Sequence, residues 1–102
     1  MTPEIAARLE SCEIQMAAQA KDYCMFVRGN CVALVQSADG RFTSIGSSGL
    51  MTEKGLAYLI WDDGQPWLSS HGNRIGAEPE QVEAIRQFSE DLKRIIAADE
   101  RR

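Results

Sequence analysis

The chain has 102 residues, 44% hydrophobic and 25% charged, with a formal net charge of −4 and a pI of about 4.9. That length supports one domain, residues 1–102, because two would each have too little core. The acidic balance excludes a protein that grips nucleic-acid phosphates through a basic footprint, and no apolar run reaches the ~18 residues of a membrane span.

The opening "TPEIAARLESCEIQMAAQA" reads as a helix. Thr2 suits the N-cap, Pro3 the first helical position and Glu4 the positive end of the dipole. Ile5, Leu9, Cys12, Met16 and Ala20 recur every three or four residues, so the stripe predicts a helix that runs on to Ala20. Acids stand where a secretory leader has bases, which predicts a cytoplasmic protein. Cys12, Cys24 and Cys31 are odd in number and lack C-x-x-C spacing, and His71 is the single histidine. Neither a disulfide framework nor a metal site is expected, and no cofactor.

From Lys21 the period changes. "YCMFVRGNCVALVQSADGRFTSIG" holds two hairpin signals, Gly29-Asn30 and Asp39-Gly40. The first puts Arg28 opposite Cys31, Phe26 opposite Ala33 and Cys24 opposite Val35. The second puts Ser37 opposite Phe42 and Val35 opposite Ser44. Cys24 and Cys31 then lie roughly 10 Å apart or more, beyond disulfide reach.

"SIGSSGLMTEKG" reads as a Gly/Ser-rich connection with room for one helical turn over residues 50–54. Its amides could cradle an anion, although the Gly-Lys-Ser/Thr ending of a P-loop is missing. "GLAYLIWDDGQPWLSSHG" is the last hairpin, turning at Asp63-Gly64, with Asp62 opposite Gln65, Trp61 opposite Pro66, Ile60 opposite Trp67 and Leu59 opposite Leu68. Pro66 lacks the N–H that a further strand would need, which predicts a sheet edge at 66–71 near this turn. "EPEQVEAIRQFSEDLKRIIAADERR" closes the chain as a helix from Pro79, with Val82, Ile85, Phe88, Leu92, Ile95 and Ile96 on one stripe. The predicted fold is a two-layer α+β domain: an N-terminal helix, a five-stranded antiparallel meander and a C-terminal helix.

Ser69, His71 and the two aspartates suggest a nucleophile–base–acid set. However, Asp62 and Asp63 sit at the turn and His71 at the far end of the returning strand, roughly 20 Å away. A triad needs contacts of about 3 Å. No catalytic residue is assigned, and the chain is read as non-enzymatic. Ser47, Ser48 and His71 are the candidates for a small ligand.

Both faces of the sheet are apolar. Tyr23, Met25, Val27, Val32 and Leu34 share one face of the first hairpin; Cys24, Phe26, Cys31, Ala33 and Val35 share the other, interrupted by Arg28. The last hairpin puts Leu59, Trp61, Pro66 and Leu68 opposite Tyr58, Ile60 and Trp67. Two helices about 10 Å across cover one face of roughly 500 Å². Either the helices split between faces, or a second chain or a ligand covers the open one, a homodimer being the commonest arrangement. The second outcome is preferred, with Phe26, Arg28, Trp61 and Trp67 as candidate partner-binding residues.

In "YLIWDDGQPWLSS" followed by "EPEQVEAIRQFSEDLKRIIA", a turn, a final strand and an amphipathic helix stand in an order that resembles the class I chaperones of type III secretion. The resemblance implies an acidic cytoplasmic homodimer, helix–three strands–helix–two strands–helix, that binds an extended segment of a secreted protein without ATP. The family's central helix would have to fit in "SSGLMTEKG". The expectation is a protein-interaction module whose partner is another polypeptide or itself. The alternatives are a small-ligand domain or enzyme built on residues 46–49 and His71, and an accessory inhibitor of another enzyme.

Overall fold

The first helix stops earlier than its apolar spacing implies. In the computed structural model, which describes residues 2–100, α1 spans Pro3–Ser11; Met1, Arg101 and Arg102, counted above in the single domain, lie outside the described residues. Thr2 Oγ1 accepts a hydrogen bond from the Ile5 N–H at 3.2 Å, the N-cap that the sequence implies. At the other end, the Glu13 N–H donates to the Glu10 carbonyl at 3.0 Å and the Ile14 N–H to the Leu9 carbonyl at 2.9 Å. These are the paired bonds of a Schellman stop, and Leu9 and Ile14 are both buried beside it. Glycine usually holds the left-handed position of such a stop. Here it is Glu13, with φ 59°, so the sequence carries no visible terminator.

That residue offers a test. Left-handed backbone costs a non-glycine residue roughly 1–2 kcal/mol, and glycine's extra freedom in the unfolded chain offsets about 0.4–1 kcal/mol of the relief. Glu13→Gly is therefore expected to raise stability by about 0.5–1 kcal/mol, seen as a later midpoint in urea melts.

Seven strands follow, β1 (Gln15–Gln19), β2 (Tyr23–Arg28), β3 (Cys31–Ala38), β4 (Arg41–Thr52), β5 (Gly55–Asp62), β6 (Gln65–Ser70) and β7 (Asn73–Gly76), and then α2 (Pro79–Glu100). The strands form one antiparallel sheet in chain order, β1 to β7. The α+β class and the flanking helices are as expected; five strands become seven. One added strand, β1, comes from residues assigned to the first helix, and the other, β7, follows a turn at His71-Gly72.

The hairpin registers of β2–β3 and β5–β6 match those read from their turns at every pair named above. In β3–β4, Ser37 faces Phe42 as expected, but Val35 faces Ile45 rather than Ser44. A register shift between Gln36 and Ser37 inserts an extra β4 residue, and such a bulge leaves no mark on turn spacing.

The stretch read as a Gly/Ser connection is a strand. β4 runs unbroken through Gly46, Ser47, Ser48 and Gly49, pairing Ala33 with Ser48 and Val32 with Gly49. No helical turn forms at residues 50–54; Glu53 and Lys54 are the tip of the β4–β5 turn. Position 49 needs glycine because its neighbours come close. A Cβ on Gly49 would lie 1.9 Å from the Ala57 carbonyl oxygen. On the other face of β4, Ser48 Oγ accepts a hydrogen bond from Ser89 Oγ of α2 at 3.0 Å.

Nor is β6 an edge, because β7 pairs with it from Trp67 to Ser70. The proline argument holds one residue further on. β7 ends opposite Trp67, and beside Pro66 only the Ala77 N–H continues the contact, donating to the Pro66 carbonyl at 3.1 Å. The ladder stops where Pro66 has no N–H to give.

At the start of α2 the Glu78 N–H donates to Gln81 Oε1 at 2.8 Å, one half of a capping box. Its stripe of Ile85, Phe88, Leu92, Ile95 and Ile96 joins Ile5 and Leu9 of α1 and Cys24, Phe26, Ala33, Val35, Phe42 and Leu50 of the sheet in one core. The Phe26 and Phe42 rings meet edge to face at 5.4 Å. One turn beyond the stripe, Asp99 is 1% exposed and accepts the Phe42 N–H at 2.9 Å. No helix among the described residues is long and apolar enough to cross a membrane.

Candidate interaction surface

Paired residues of an antiparallel ladder share a face, and the ladder shows which face the helices cover. Arg28, on the face of Phe26 and Cys24, reaches α2 through Asp91 at 2.8 Å and the end of α1 through the Cys12 carbonyl at 3.1 Å. Ser48, on the same face, meets Ser89 of α2. Both helices therefore lie on one side of the sheet. Among the described residues no helix covers the opposite side.

A single rung crosses the uncovered face from edge to edge: Gln15, Val27, Val32, Gly49, Tyr58, Ser69 and Arg74. Met25 and Leu34 flank it on one wing, Ile60 and Trp67 on the other. Val32 is only 1% exposed, while Met25, Val27, Leu34, Tyr58, Ile60 and Trp67 are half-buried. Tyr23, on this face too, is exposed. None of Tyr23, Met25, Val27, Val32, Leu34, Tyr58, Ile60 and Trp67 is charged. At the margin, Asp62 and Arg74 neutralise each other at 2.7 Å.

Of the residues singled out for partner binding, Trp67 lies on this surface. Phe26 does not: it is 1% exposed, inside the core beneath the helices. Trp61 points to the helix side, opposite Pro66, on a part of β5 that the helices leave bare, and is 61% exposed. Arg28 is an internal tie. Its guanidinium carbon lies 5.4 Å from the centre of the Phe88 ring, and its hydrogen bond to Asp91 holds that carboxyl below its ordinary range. The sequence assigned the two faces of each hairpin correctly; it held no signal for which face of β2–β3 continues into which face of β5–β6.

The small-ligand candidates separate. Ser48 is a ladder residue opposite Ala33, and Ser47 lies in the same strand at the register shift between the Ala33 and Val35 pairs. Ser48 lies four residues along β4 from Thr52, about 13 Å at the strand rise, and His71 is beyond it at the β6–β7 turn. Asp62 and Asp63 are at the opposite end of β6 from His71, as the turn assignment requires. Cys24 and Cys31 are free and buried, and burial pushes both thiols up, away from the nucleophilic form. Among the described residues no group of three or more His, Cys, Asp or Glu is placed to hold a metal ion. Comparison with known proteins finds no family model, no curated protein and no solved structure that matches this chain.

Proposed function

We propose that the chain is a non-enzymatic protein-interaction module that docks through the helix-free face of its sheet, and that a second copy of the chain occupies that face. The observation that carries the reading is the placement of both helices on one side, leaving a helix-free face on which Met25, Val27, Leu34, Tyr58, Ile60 and Trp67 stand, with Asp62 and Arg74 paired at its β7 margin. Soluble monomers rarely expose patches beyond a few hundred Å² without a role for them.

Two features favour a second copy as the occupant. Seven strands at ~4.8 Å and a length near 20 Å give a face of roughly 650 Å², so two copies would bury about 1,300 Å², within the range of specific interfaces. The chain carries −4, yet the surface between Tyr23 and Trp67 is neutral, so two acidic copies can meet there without opposing charge. The chaperone-like resemblance implies the same kind of assembly, with a client segment as a further partner.

The test is Trp67→Glu, followed by sedimentation equilibrium and urea melts. The wild-type chain is expected to be a dimer. The variant should dissociate at least about tenfold more readily, the scale of losing one aromatic anchor, with a monomer stability close to the parent's. A monomeric wild-type chain overturns self-association. Loss of folding in step with loss of association would make Trp67 a core residue.

A further inference from the structure

On the other side of the sheet, α2 packs mainly over β4 and β3, and further along the helix side of β5–β7 Trp61 and Ile75 are exposed. There the β4–β5 and β6–β7 turns frame a cavity of about 470 Å³, within the range of small-molecule sites. Its floor and wall are apolar: Ala57, Leu68 and Ile75. Ala57 and Leu68 are buried at its root, whereas Ile75 is 69% exposed.

The rim is polar and comes from both turns. Thr52 Oγ1 accepts the Lys54 N–H at 3.2 Å and donates to the Gly55 carbonyl at 2.7 Å, which fixes the tip that carries Lys54. Across from it, His71 and Gly72 form a two-residue turn with φ 50° and 82°. The His71 ring reaches toward the first turn; its Nε2 lies 3.9 Å from where a Cβ on Gly55 would stand. Between the two, Ser70 Oγ is buried with no hydrogen-bond partner among the described residues. The cavity thus joins an apolar wall to a cation, an imidazole and an unsatisfied hydroxyl.

We infer that this cavity binds a small carboxylic acid with an apolar body, its carboxylate held by Lys54, with His71 and the Ser70 hydroxyl as further donors, and its body on Ala57, Leu68 and Ile75. The rim selects for a single negative charge. Glu53 stands on the same rim as Lys54 and repels a multiply charged group such as phosphate. The site is on the opposite side of the sheet from the proposed dimer face and does not depend on it.

The probe is octanoate, titrated into the full chain by calorimetry and by amide chemical shifts, with octan-1-ol and inorganic phosphate as comparisons. Octanoate is expected to bind one-to-one, with shifts centred on residues 52–57 and 68–75. Lys54→Gln should weaken it by about tenfold, the scale of one lost charge-assisted contact. Ile75→Asp, at a wall position that is 69% exposed, should abolish it while leaving the urea midpoint close to the parent's, and Lys93→Glu on the exposed side of α2 should leave it unchanged. Equal binding of octan-1-ol, or phosphate binding at the same residues, overturns the assignment of a carboxylate. Absence of binding, or shifts centred on Tyr58, Ile60 and Trp67, overturns the site.

Discussion

Gly49→Ala is expected to destabilise the fold by about 3 kcal/mol, at the upper end of what one inserted methyl costs in a packed interior. The reason is backbone, not side chain. The new Cβ would lie 1.9 Å from the Ala57 carbonyl oxygen and 2.7 Å from Tyr58 Cα, and neither can swing aside as a flexible side chain could. Strand β5 would have to move. That movement falls on a weak joint, because β4 and β5 pair only from Gly49–Tyr58 to Thr52–Gly55, and this ladder alone ties β5–β7 to the rest of the sheet. Gly46→Ala is the internal comparison. Its Cβ would come no closer than 3.4 Å, to the Leu34 carbonyl, so a change within about 0.5 kcal/mol is expected. Urea melts of both variants check this. Equal, small losses would mean that β4 and β5 accommodate the methyl by separating at little cost.

Asp91→Ala is expected to cost about 2 kcal/mol at neutral pH. Breaking a fully buried ion pair costs roughly 3–5 kcal/mol because a charge stays behind unpaired. The figure is lower here because the Arg28 side chain keeps 23% exposure, the Cys12 carbonyl and the face of Phe88. Replacing both partners, Arg28→Met with Asp91→Leu, should recover much of the loss.

The same pair sets an acid limb. The Arg28 hydrogen bond, together with Arg94, holds the Asp91 carboxyl below its ordinary range. A depressed carboxyl contributes stability above its unfolded-state pKa, near ~4, and loses it as pH falls through the lower folded value. The stability gap between wild type and Asp91→Asn should therefore be full at pH 7 and shrink steadily below about pH 4. A gap that stays constant down to acid unfolding would show that Asp91 acts through packing rather than charge.

Much of the fold was legible because its signals are local. Asp63-Gly64 and Gly29-Asn30 demand tight turns, and a tight turn sets the register of the strands it joins; hence Ile60 opposite Trp67 and Arg28 opposite Cys31. Thr2, Pro3 and the Ile85-to-Ile96 stripe likewise carry helix starts and faces in their own spacing. The candidate site was half legible for the same reason: alternation sorts Trp67 from Leu68 without any knowledge of the rest of the chain.

What failed locally was decided by distant partners. Residues 15–19 have helical spacing but pair with β2 once Glu13 turns the chain, and no glycine announces that turn. "GSSG" has loop composition and lies in a strand, because β3 pairs with Ser48 and Gly49, β5 pairs with Gly49, and the close approach of Ala57 excludes a side chain at position 49. The joining of the Phe26 face with both helices, and with it the exposure of the Trp67 face, also lies beyond short-range pattern. By itself the sequence determined two helices, the tight turns and the division of each hairpin's residues between two faces. Only the tertiary structure decided which face stays bare, since each hairpin is apolar on both sides and the choice depends on where helices far away in the chain pack.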